Sequence, residues 1–295
     1  MEIKKGYSID TSKYIDKLIR FGKGNRVFFD LKDPKTIQDK LAWLAIYDTD
    51  PLKTKCADKF LLHEYCKETL GTDICVPIIK SYDRVQDIDL DKLPKRFVIK
   101  CNHGSGMNVI VLDKNEIDPG ALGALLQKWM NTNFALQNGF EPQYNDIPRK
   151  IIVEKYMTDG HKDSLHDYKF WCFNGEPKLY TINSGNGHGD IMYYKMTGTP
   201  WNLYGVPEHD EYKKPKNFNE MKRFAKKLAA PFKFVRIDFY EIKGVTYLGE
   251  MTFTPGACVF KYKNPEDEIK VGNLLKLDIP KDEPEKDEKP EGLFQ

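Results

Sequence analysis

The chain has 295 residues, of which 40% are hydrophobic and 13% aromatic, so a wholly disordered protein is excluded and two compact units are expected. Its 46 basic and 44 acidic residues give a net charge of +2, which excludes a surface built to attract nucleic acid or anionic membrane. No apolar run approaches the roughly 18 residues that span a bilayer, and the N-terminal segment lacks the apolar stretch of a secretory signal.

The six cysteines form no C-x-x-C pair, which indicates free buried thiols in a reducing compartment. We therefore expect a cytoplasmic protein that is not integral to a membrane. At the other end of the chain, residues 281–295 contain almost no apolar side chains and carry three more negative than positive charges. Such a segment buries little surface, and we expect it to be disordered.

Helical spacing of apolar residues predicts four helices, over 36–47, 56–70, 121–130 and 219–228. Short β-branched and aromatic runs bounded by turn residues predict strands over 97–100, 108–112, 150–156, 168–173, 178–182, 234–242 and 245–253. Asn174-Gly175 and Lys243-Gly244 indicate tight hairpin turns between neighbouring strands. Hairpins of this kind favour antiparallel sheets with helices packed on one face, which is an α+β fold.

A first group of polar residues follows the strand that ends at Lys100. The loop that comes next contains Gly104, Ser105 and Gly106 and leads into another strand. Glycines let successive backbone N–H groups point at one phosphate, and a lysine beside them supplies a positive charge. An ordinary glycine-containing hairpin with an exposed lysine is the alternative. The loop matches neither the Walker A pattern nor a dinucleotide fingerprint.

A second group lies in the hairpin around Lys243-Gly244. Counting outward from that turn places Asp238 almost opposite Glu250. Two facing carboxylates destabilise a strand pair unless a cation neutralises them, and Mg²⁺ prefers such oxygen ligands. Arg236 lies two residues before Asp238 and so shares its face, where it could stabilise a phosphate or an oxyanion. The alternative is a pair of solvated carboxylates with an arginine that forms salt bridges.

Three further segments each fit two different interpretations. An apolar strand runs into Glu154 and a polar linker, which suits an interdomain hinge or a plain buried strand. Asp87, Asp89 and Asp91 resemble the D-x-D motif of nucleotide-sugar glycosyltransferases, although a solvated loop explains them as well. The segment 183–207, rich in aromatic residues, suits either the lining of an acceptor site or a packed lid.

Taken in order, the strand lysine and Gly/Ser loop, the glutamate hinge, and the R-x-D strand followed by E-x-T-x-x-PG resemble the ATP-grasp superfamily. DPKTIQDKLAWLAIYDTDPL, CNHGSG, DYKFWCFNGEPK and GEMTFTPGA resemble its TupA-like branch, which is linked to bacterial surface-polysaccharide and teichuronopeptide synthesis. The resemblance covers about 33–280. It implies a helical lead over 1–75, an ATP-grasp subdomain with the phosphate loop over 76–156, and a second with the metal site over 157–280.

The resemblance also implies roles for individual residues. Phosphate contacts would come from Lys59 and Lys100, and a further nucleotide or phosphate contact from Lys169. The phosphate-covering loop would be Gly104, Ser105 and Gly106, and the adenine hinge Glu154, Lys155 and Met157. Asp238 and Glu250 would hold Mg²⁺, with Arg236 near the transferred phosphoryl group. Where the wider superfamily commonly has Asn as a third metal position, this chain has Thr252.

The activity implied is that of an ATP- and Mg²⁺-dependent ligase, in which a carboxylate forms an acyl phosphate that an amine then attacks. The substrates we expect are a carboxylate-bearing sugar of a capsule or cell-surface polymer and an amine, with no nucleic acid as partner. One alternative is a glycosyltransferase that uses Asp87, Asp89 and Asp91. Another is a nucleotide-binding scaffold without catalysis, which would have no need of two facing carboxylates.

Overall fold

A computed structural model describes residues 6–158, 165–183, 191–206 and 214–279. The expected disorder of 281–295 lies outside these residues. Two antiparallel sheets and seven α-helices make up the described part, so the predicted α+β class is confirmed. Among the described residues, no helix combines the length and apolarity that a bilayer crossing needs.

Four helices precede the first sheet: α1 Ile15–Gly24, α2 Ile37–Tyr47, α3 Leu52–Ala57 and α4 Leu62–Leu70. Helix α2 begins at a capping box, in which Thr36 and Asp39 each bond the other's backbone N–H. The single helix predicted over 56–70 is wrong, because Asp58 ends α3 in an extended conformation. Its carboxylate accepts hydrogen bonds from the backbone N–H of Phe60 and from the Asn102 amide, which stabilises the break.

The first sheet has the strand order β1-β4-β2-β3. Its strands are β1 Ile78–Tyr82, β2 Phe97–Cys101, β3 Asn108–Val111 and β4 Ile151–Lys155. Helix α5, Pro119–Met130, packs against β2, and Asp118 caps it by accepting hydrogen bonds from two backbone N–H groups. The strand β1 was not predicted, because its sequence IIKSY buries only one side chain fully.

The second sheet has the order β10-β9-β5-β6-β7-β8. Its strands are β5 Asp167–Phe173, β6 Glu176–Asn183, β7 Met192–Lys195, β8 Pro200–Trp201, β9 Phe234–Ile242 and β10 Val245–Thr252. Helix α6, Phe218–Ala229, covers one face. The other face packs on α2 and on α7, Pro265–Gly272, so the expectation of helices on one face only is wrong for this sheet.

Both predicted hairpin turns are present. Asn174 and Gly175 have φ of 48° and 79°, and Lys243 and Gly244 have φ of 52° and 78°. Two consecutive left-handed residues match the right-handed twist of the strands that they join. The Lys243-Gly244 turn sets the register of β9 and β10, which carry the predicted metal ligands.

The segment 183–207 is partly a continuation of the second sheet, since it contributes β7 and β8. Residues 184–190 and 207 lie outside the described part of the chain. Tyr193 and Tyr204 form ring contacts with Tyr262, and Trp201 packs at the edge of the same cluster. The described aromatic residues of this segment therefore pack in the core. None of these residues, which were predicted as a possible acceptor lining, borders the cavities described below.

Candidate functional site

Three adjacent strands of the second sheet present charged side chains on one face. Lys169 of β5 lies opposite Asp238 of β9, and Asp238 lies opposite Glu250 of β10. A bulge at Gly249 shifts the register by one residue. Without that bulge Glu250 would lie opposite Ile237, whose side chain is buried on the other face, so the bulge brings the two carboxylates together.

Arg236 links the two carboxylates. Its Nε and Nη2 donate to Asp238 at 2.7 Å each, and Nη2 also donates to Glu250 Oε1 at 3.1 Å. Thr252 Oγ1 accepts from Nη2 at 3.2 Å and lies 3.4 Å from the same glutamate oxygen. Burial disfavours the charged guanidinium, but these two carboxylates raise the pKa of Arg236 overall.

Lys169 adds a second positive charge to Asp238. Its Nζ lies 2.6 Å from Asp238 Oδ2 and 3.4 Å from Asp167 Oδ2. Burial alone would lower the pKa of Lys169, but Asp238 raises it overall. Burial raises the pKa of Asp167, which sequence reasoning did not single out although it stands two residues from Lys169 on the same strand face.

Glu250 also lies close to Lys59, which comes from the segment between α3 and α4 and contacts the loop of the first sheet. Lys59 Nζ lies 3.7 Å from Glu250 Oε2 and donates to the Gly104 carbonyl at 2.6 Å. Burial works against ionisation of Glu250, but Lys59 and Arg236 outweigh it and lower the pKa of Glu250 to about 2. The carboxylate is therefore charged at neutral pH.

The position of Lys59 follows from the break between α3 and α4. The amide of the fully buried Asn102 donates to Asp58 at 2.8 Å and to the Pro148 carbonyl at 2.9 Å. Its oxygen accepts from the Lys150 N–H at 2.7 Å. Asn102 thus ties the end of β2, the start of β4 and the residue before Lys59 to one point.

The predicted phosphate loop joins β2 to β3. Gly104 is buried, and a Cβ there would lie 2.7 Å from the Phe134 ring, so only glycine fits this position. Ser105 and Gly106 are exposed, and Gly106 has φ of 72°, a conformation that favours glycine. The loop is therefore fixed at its first residue and open to solvent at the next two.

Lys100 forms an ion pair with Glu154 of the neighbouring strand, at 2.6 Å. The lysine side chain is 15% exposed and that of the glutamate 8%, so the pair is shielded from solvent. The backbone N–H of Lys155 donates to the Pro77 carbonyl at 2.9 Å. That N–H is therefore not free to contact a base at this end of the cleft.

Two cavities between the sheets meet at these residues. One, of about 330 Å³, has apolar walls that include Val76, Val98 and Ile110 at the end where β4 terminates. The other, of about 200 Å³, is lined by the charged groups and by the loop around Ser105. Both are bordered by a shared set: Lys100, Asn108, Asp167, Tyr240 and Gly249. Together they form an elongated cleft with an apolar end and a cationic end.

Every predicted site residue lies in or beside this cleft. Lining the cationic end are Lys59, Lys100, Gly104, Ser105, Gly106, Lys169, Asp238 and Glu250, while Glu154, Lys155 and Met157 line the apolar end. Arg236 contacts two of these residues. Sequence reasoning missed Tyr240 and Asn108. Tyr240 lies two residues after Asp238 on the same strand face, and Asn108 of β3 lies opposite Lys100, so strand alternation and cross-strand pairing could have found them.

The donor set at Asp238 and Glu250 fits a hard divalent cation, because two carboxylates from neighbouring strands face each other and Thr252 adds a hydroxyl. The side chains of Arg236 and Lys169 now occupy both oxygens of Asp238. A magnesium ion held there would take over part of that charge compensation.

The three aspartates of the alternative interpretation lie elsewhere, on an exposed turn. Asp87 pairs with Arg84 at 2.7 Å, and Asp89 pairs with Lys92 at 2.9 Å. Asp91 donates its backbone N–H to Asp89. None of the three borders either cavity, and local ion pairs explain their spacing.

Among solved structures, the chain is similar to two D-alanine–D-alanine ligases. The ligase from Bacillus anthracis complexed with ATP is 17% identical with a TM-score of 0.40, over 74% of this chain and 65% of that one. The ligase from Helicobacter pylori is 15% identical with a TM-score of 0.48, over 81% and 68%. An L-amino acid ligase from Bacillus licheniformis is 12% identical with a TM-score of 0.39, over 69% and 41%.

The comparison with curated proteins gave no match. A family model described as TupA-like ATPgrasp matches residues 39–276, which is most of the chain and contains every residue of the cleft. Both sheets, α3 to α7, most of α2 and the facing carboxylates of β9 and β10 fall within the match. The chain belongs to the TupA-like ATP-grasp family.

Proposed function

We propose that this protein is an ATP- and Mg²⁺-dependent ligase that joins a carboxylate to an amine. The observation that carries the proposal is the pairing of Asp238 and Glu250 at the cationic end of the cleft. Lys59, Lys169 and Arg236 lie within ion-pair distance of these two carboxylates. Phosphoryl transfer depends mainly on positioning and on the neutralisation of charge, and such a cluster supplies both.

In this proposal the nucleotide base lies between the apolar walls of the larger cavity, and the phosphates extend toward the loop around Ser105. Lys100, held by Glu154, neutralises phosphate charge at the junction of the two cavities. Asp238 and Glu250 would hold a magnesium ion, which would offset the negative charge of the phosphates. Arg236 stabilises the charge that develops on the transferred phosphoryl group.

The proposed reaction needs no nucleophilic side chain of the protein. A substrate carboxylate oxygen attacks the γ-phosphorus, the bond to ADP breaks, and an acyl phosphate forms. The amine nitrogen then attacks the acyl carbon, the carbon–oxygen bond to phosphate breaks, and the nitrogen releases a proton as the amide forms. Exclusion of water protects the acyl phosphate from hydrolysis, a role that suits the exposed Ser105–Gly106 tip of the loop.

A finer proposal concerns the substrates. We infer that the carboxylate is borne by an acidic sugar, such as a uronic acid of a cell-surface polymer, and that the reaction takes place in the cytoplasm. Support comes from the resemblance of the chain's motifs to those linked with surface-polysaccharide synthesis. Arg236 and Lys169, which both pair with Asp238, would be freed to contact an anionic sugar where magnesium takes over part of that pairing.

The direct test is to incubate the protein with ATP, Mg²⁺ and panels of uronic acids and amines, and to measure released nucleotides. We expect ADP and phosphate, and adding hydroxylamine should trap the acyl phosphate as a hydroxamate. Asp238→Asn and Glu250→Gln should each lower turnover by roughly 100-fold or more, since each removes a metal ligand. The matched control Glu116→Gln neutralises an exposed carboxylate that does not border the cleft and should leave turnover unchanged.

Release of AMP and pyrophosphate would contradict the acyl-phosphate route. ATP binding that survives both substitutions, with no turnover for any pair, would favour a nucleotide-binding scaffold instead. Transfer from a nucleotide sugar without ATP would favour the glycosyltransferase.

A further inference from the structure

A third cavity, of about 260 Å³, lies on the far side of Glu250 from the nucleotide cleft. Ser105 and Glu250 border both this cavity and the cationic end of the cleft, and Arg236 also lines it. A group bound in this cavity would thus be separated from the phosphates by the predicted metal ligand and the tip of the phosphate loop alone. Apart from Thr252, which adds a hydroxyl at the metal site, the nucleotide proposal uses none of the other residues that line this cavity.

Glu141 is the one carboxylate of that wall outside the metal site, and it is only 6% exposed. Its Oε2 accepts a short hydrogen bond from the Thr254 hydroxyl. Thr254 in turn accepts from Gln143 Nε2 at 2.8 Å, and Gln143 is 1% exposed. This buried chain of hydrogen bonds fixes one carboxylate oxygen and leaves Oε1 without a donor among the described residues.

No lysine, arginine or histidine of the described chain forms an ion pair with Glu141. The nearest cations of the site have other partners, since Arg236 binds Asp238 and Glu250, and Lys59 binds Gly104 and Glu250. Burial, together with the neighbouring Glu250, raises the pKa of Glu141 to about 7. A buried carboxylate beside an empty space and without a counter-ion favours the binding of a cation.

The opposite wall of the cavity has a strained backbone. Gly256 and Ala257 both have left-handed conformations, with φ of 57° and 50°. For alanine this costs about 1 kcal/mol or more, and such strain is kept where the surrounding structure fixes it, frequently at binding sites. The aromatic rings of Phe134 and Tyr144 complete the lining and leave room for an apolar body next to the charged end.

We propose that this cavity binds the amine substrate of the ligase, and that Glu141 holds its ammonium group and takes the proton that the nitrogen loses before it attacks. The assignment rests on the proposed function, because it places the nitrogen beside the site where the acyl phosphate would form. A volume of about 260 Å³ suits a primary amine of amino-acid or amino-sugar size, or the amine-bearing end of a longer chain.

Crystals soaked with 3-bromobenzylamine test this site without any knowledge of the true substrate. The bromine gives an anomalous signal, and 3-bromobenzyl alcohol is a neutral control of nearly the same shape. We expect the ammonium of the amine to contact Glu141 in the wild type, and we expect no bound alcohol. Glu141→Gln, which keeps the acceptor for Thr254, should lose the amine, and Glu116→Gln should retain it.

The same variant is then tested in turnover. With any active carboxylate–amine pair, Glu141→Gln should raise the KM for the amine at least about tenfold while the KM for ATP changes less than about twofold. Glu141→Asp, which keeps the charge but shortens the side chain, should fall between the two proteins. A thermal melt verifies that each variant is folded.

The two proposals fail in different ways. A wild-type crystal without the amine, or equal occupancy in Glu141→Gln, would overturn the amine site even if the protein is a ligase. Absence of ADP and hydroxamate with every pair would overturn the ligase, while the soaked crystals would still show whether Glu141 holds a cation.

Discussion

Burial works against ionisation at two glutamates that border the third cavity, but only one of them has its charge compensated. Around Glu250, the positive charges of Lys59 and Arg236 exceed the effect of burial, and its pKa falls to about 2. Around Glu141, the neutral Thr254 hydroxyl is the main stabilising contact, and the pKa of Glu141 rises to about 7. The same residue type is thus kept charged at the proposed metal site and left uncompensated at the proposed amine site.

This difference predicts a pH-dependent effect of Glu141→Gln on stability. Because the folded pKa of Glu141 is raised from 4.5 to about 7, the wild type loses stability as pH rises through that range, and the variant does not. The stability of the variant relative to the wild type should therefore be greater at about pH 8 than at about pH 5 by roughly 2 kcal/mol. Urea unfolding of both proteins at the two pH values measures the difference, and a pH-independent difference would contradict it.

At the scale of elements, sequence patterns predicted the features that residues close together in the chain determine. The two glycine turns and the run lengths of β9 and β10 placed Asp238 near Glu250, and the register confirms this pairing. The bulge at Gly249 was not predictable, because it follows from which side chains the rest of the fold buries. The break at Asp58 was missed for a related reason, since its partner Asn102 lies 44 residues away. Strands β7 and β8 are too short to give a periodic signal.

Gly249→Ala tests the element that aligns the site. A Cβ at this position would lie 2.7 Å from the ring of Tyr240, and both residues border the two cavities of the cleft. We expect the ring to move into the cleft, with a stability loss of about 1–2 kcal/mol. ATP affinity, measured by calorimetry, should fall roughly tenfold, since a displaced aromatic ring occupies space that the nucleotide needs.

Gly244→Ala is the matched control, because it lies at the turn of the same hairpin, where a Cβ meets no atom within 4 Å. Its φ of 78° makes it strained as well, so it should lower stability without lowering ATP affinity. Equal affinity losses in the two variants would mean that the hairpin as a whole, rather than the contact with Tyr240, determines binding.

At the scale of the whole molecule, the near-neutral charge is compatible with the proposed polyanionic ligand because the cations of the site are shielded from solvent. The composition excluded a basic surface, and the fold gathers its site cations where solvent barely reaches them. Their side-chain exposures are 12% for Lys59, 15% for Lys100, 16% for Lys169 and 15% for Arg236. Sequence reasoning could name these four residues, but their burial depends on the packing of one sheet against the other.

Buried charges are screened by salt far less than exposed ones, so ATP binding should be nearly insensitive to ionic strength. Between about 0.05 and about 0.5 M NaCl, at constant free Mg²⁺, we expect the Kd for ATP to rise by no more than about threefold. A protein that captures nucleotides with exposed lysines would lose affinity steeply over this range, because counter-ions compete at each exposed charge. A tenfold or greater loss in calorimetric titrations would therefore show that surface lysines, and not the four buried cations, provide most of the attraction.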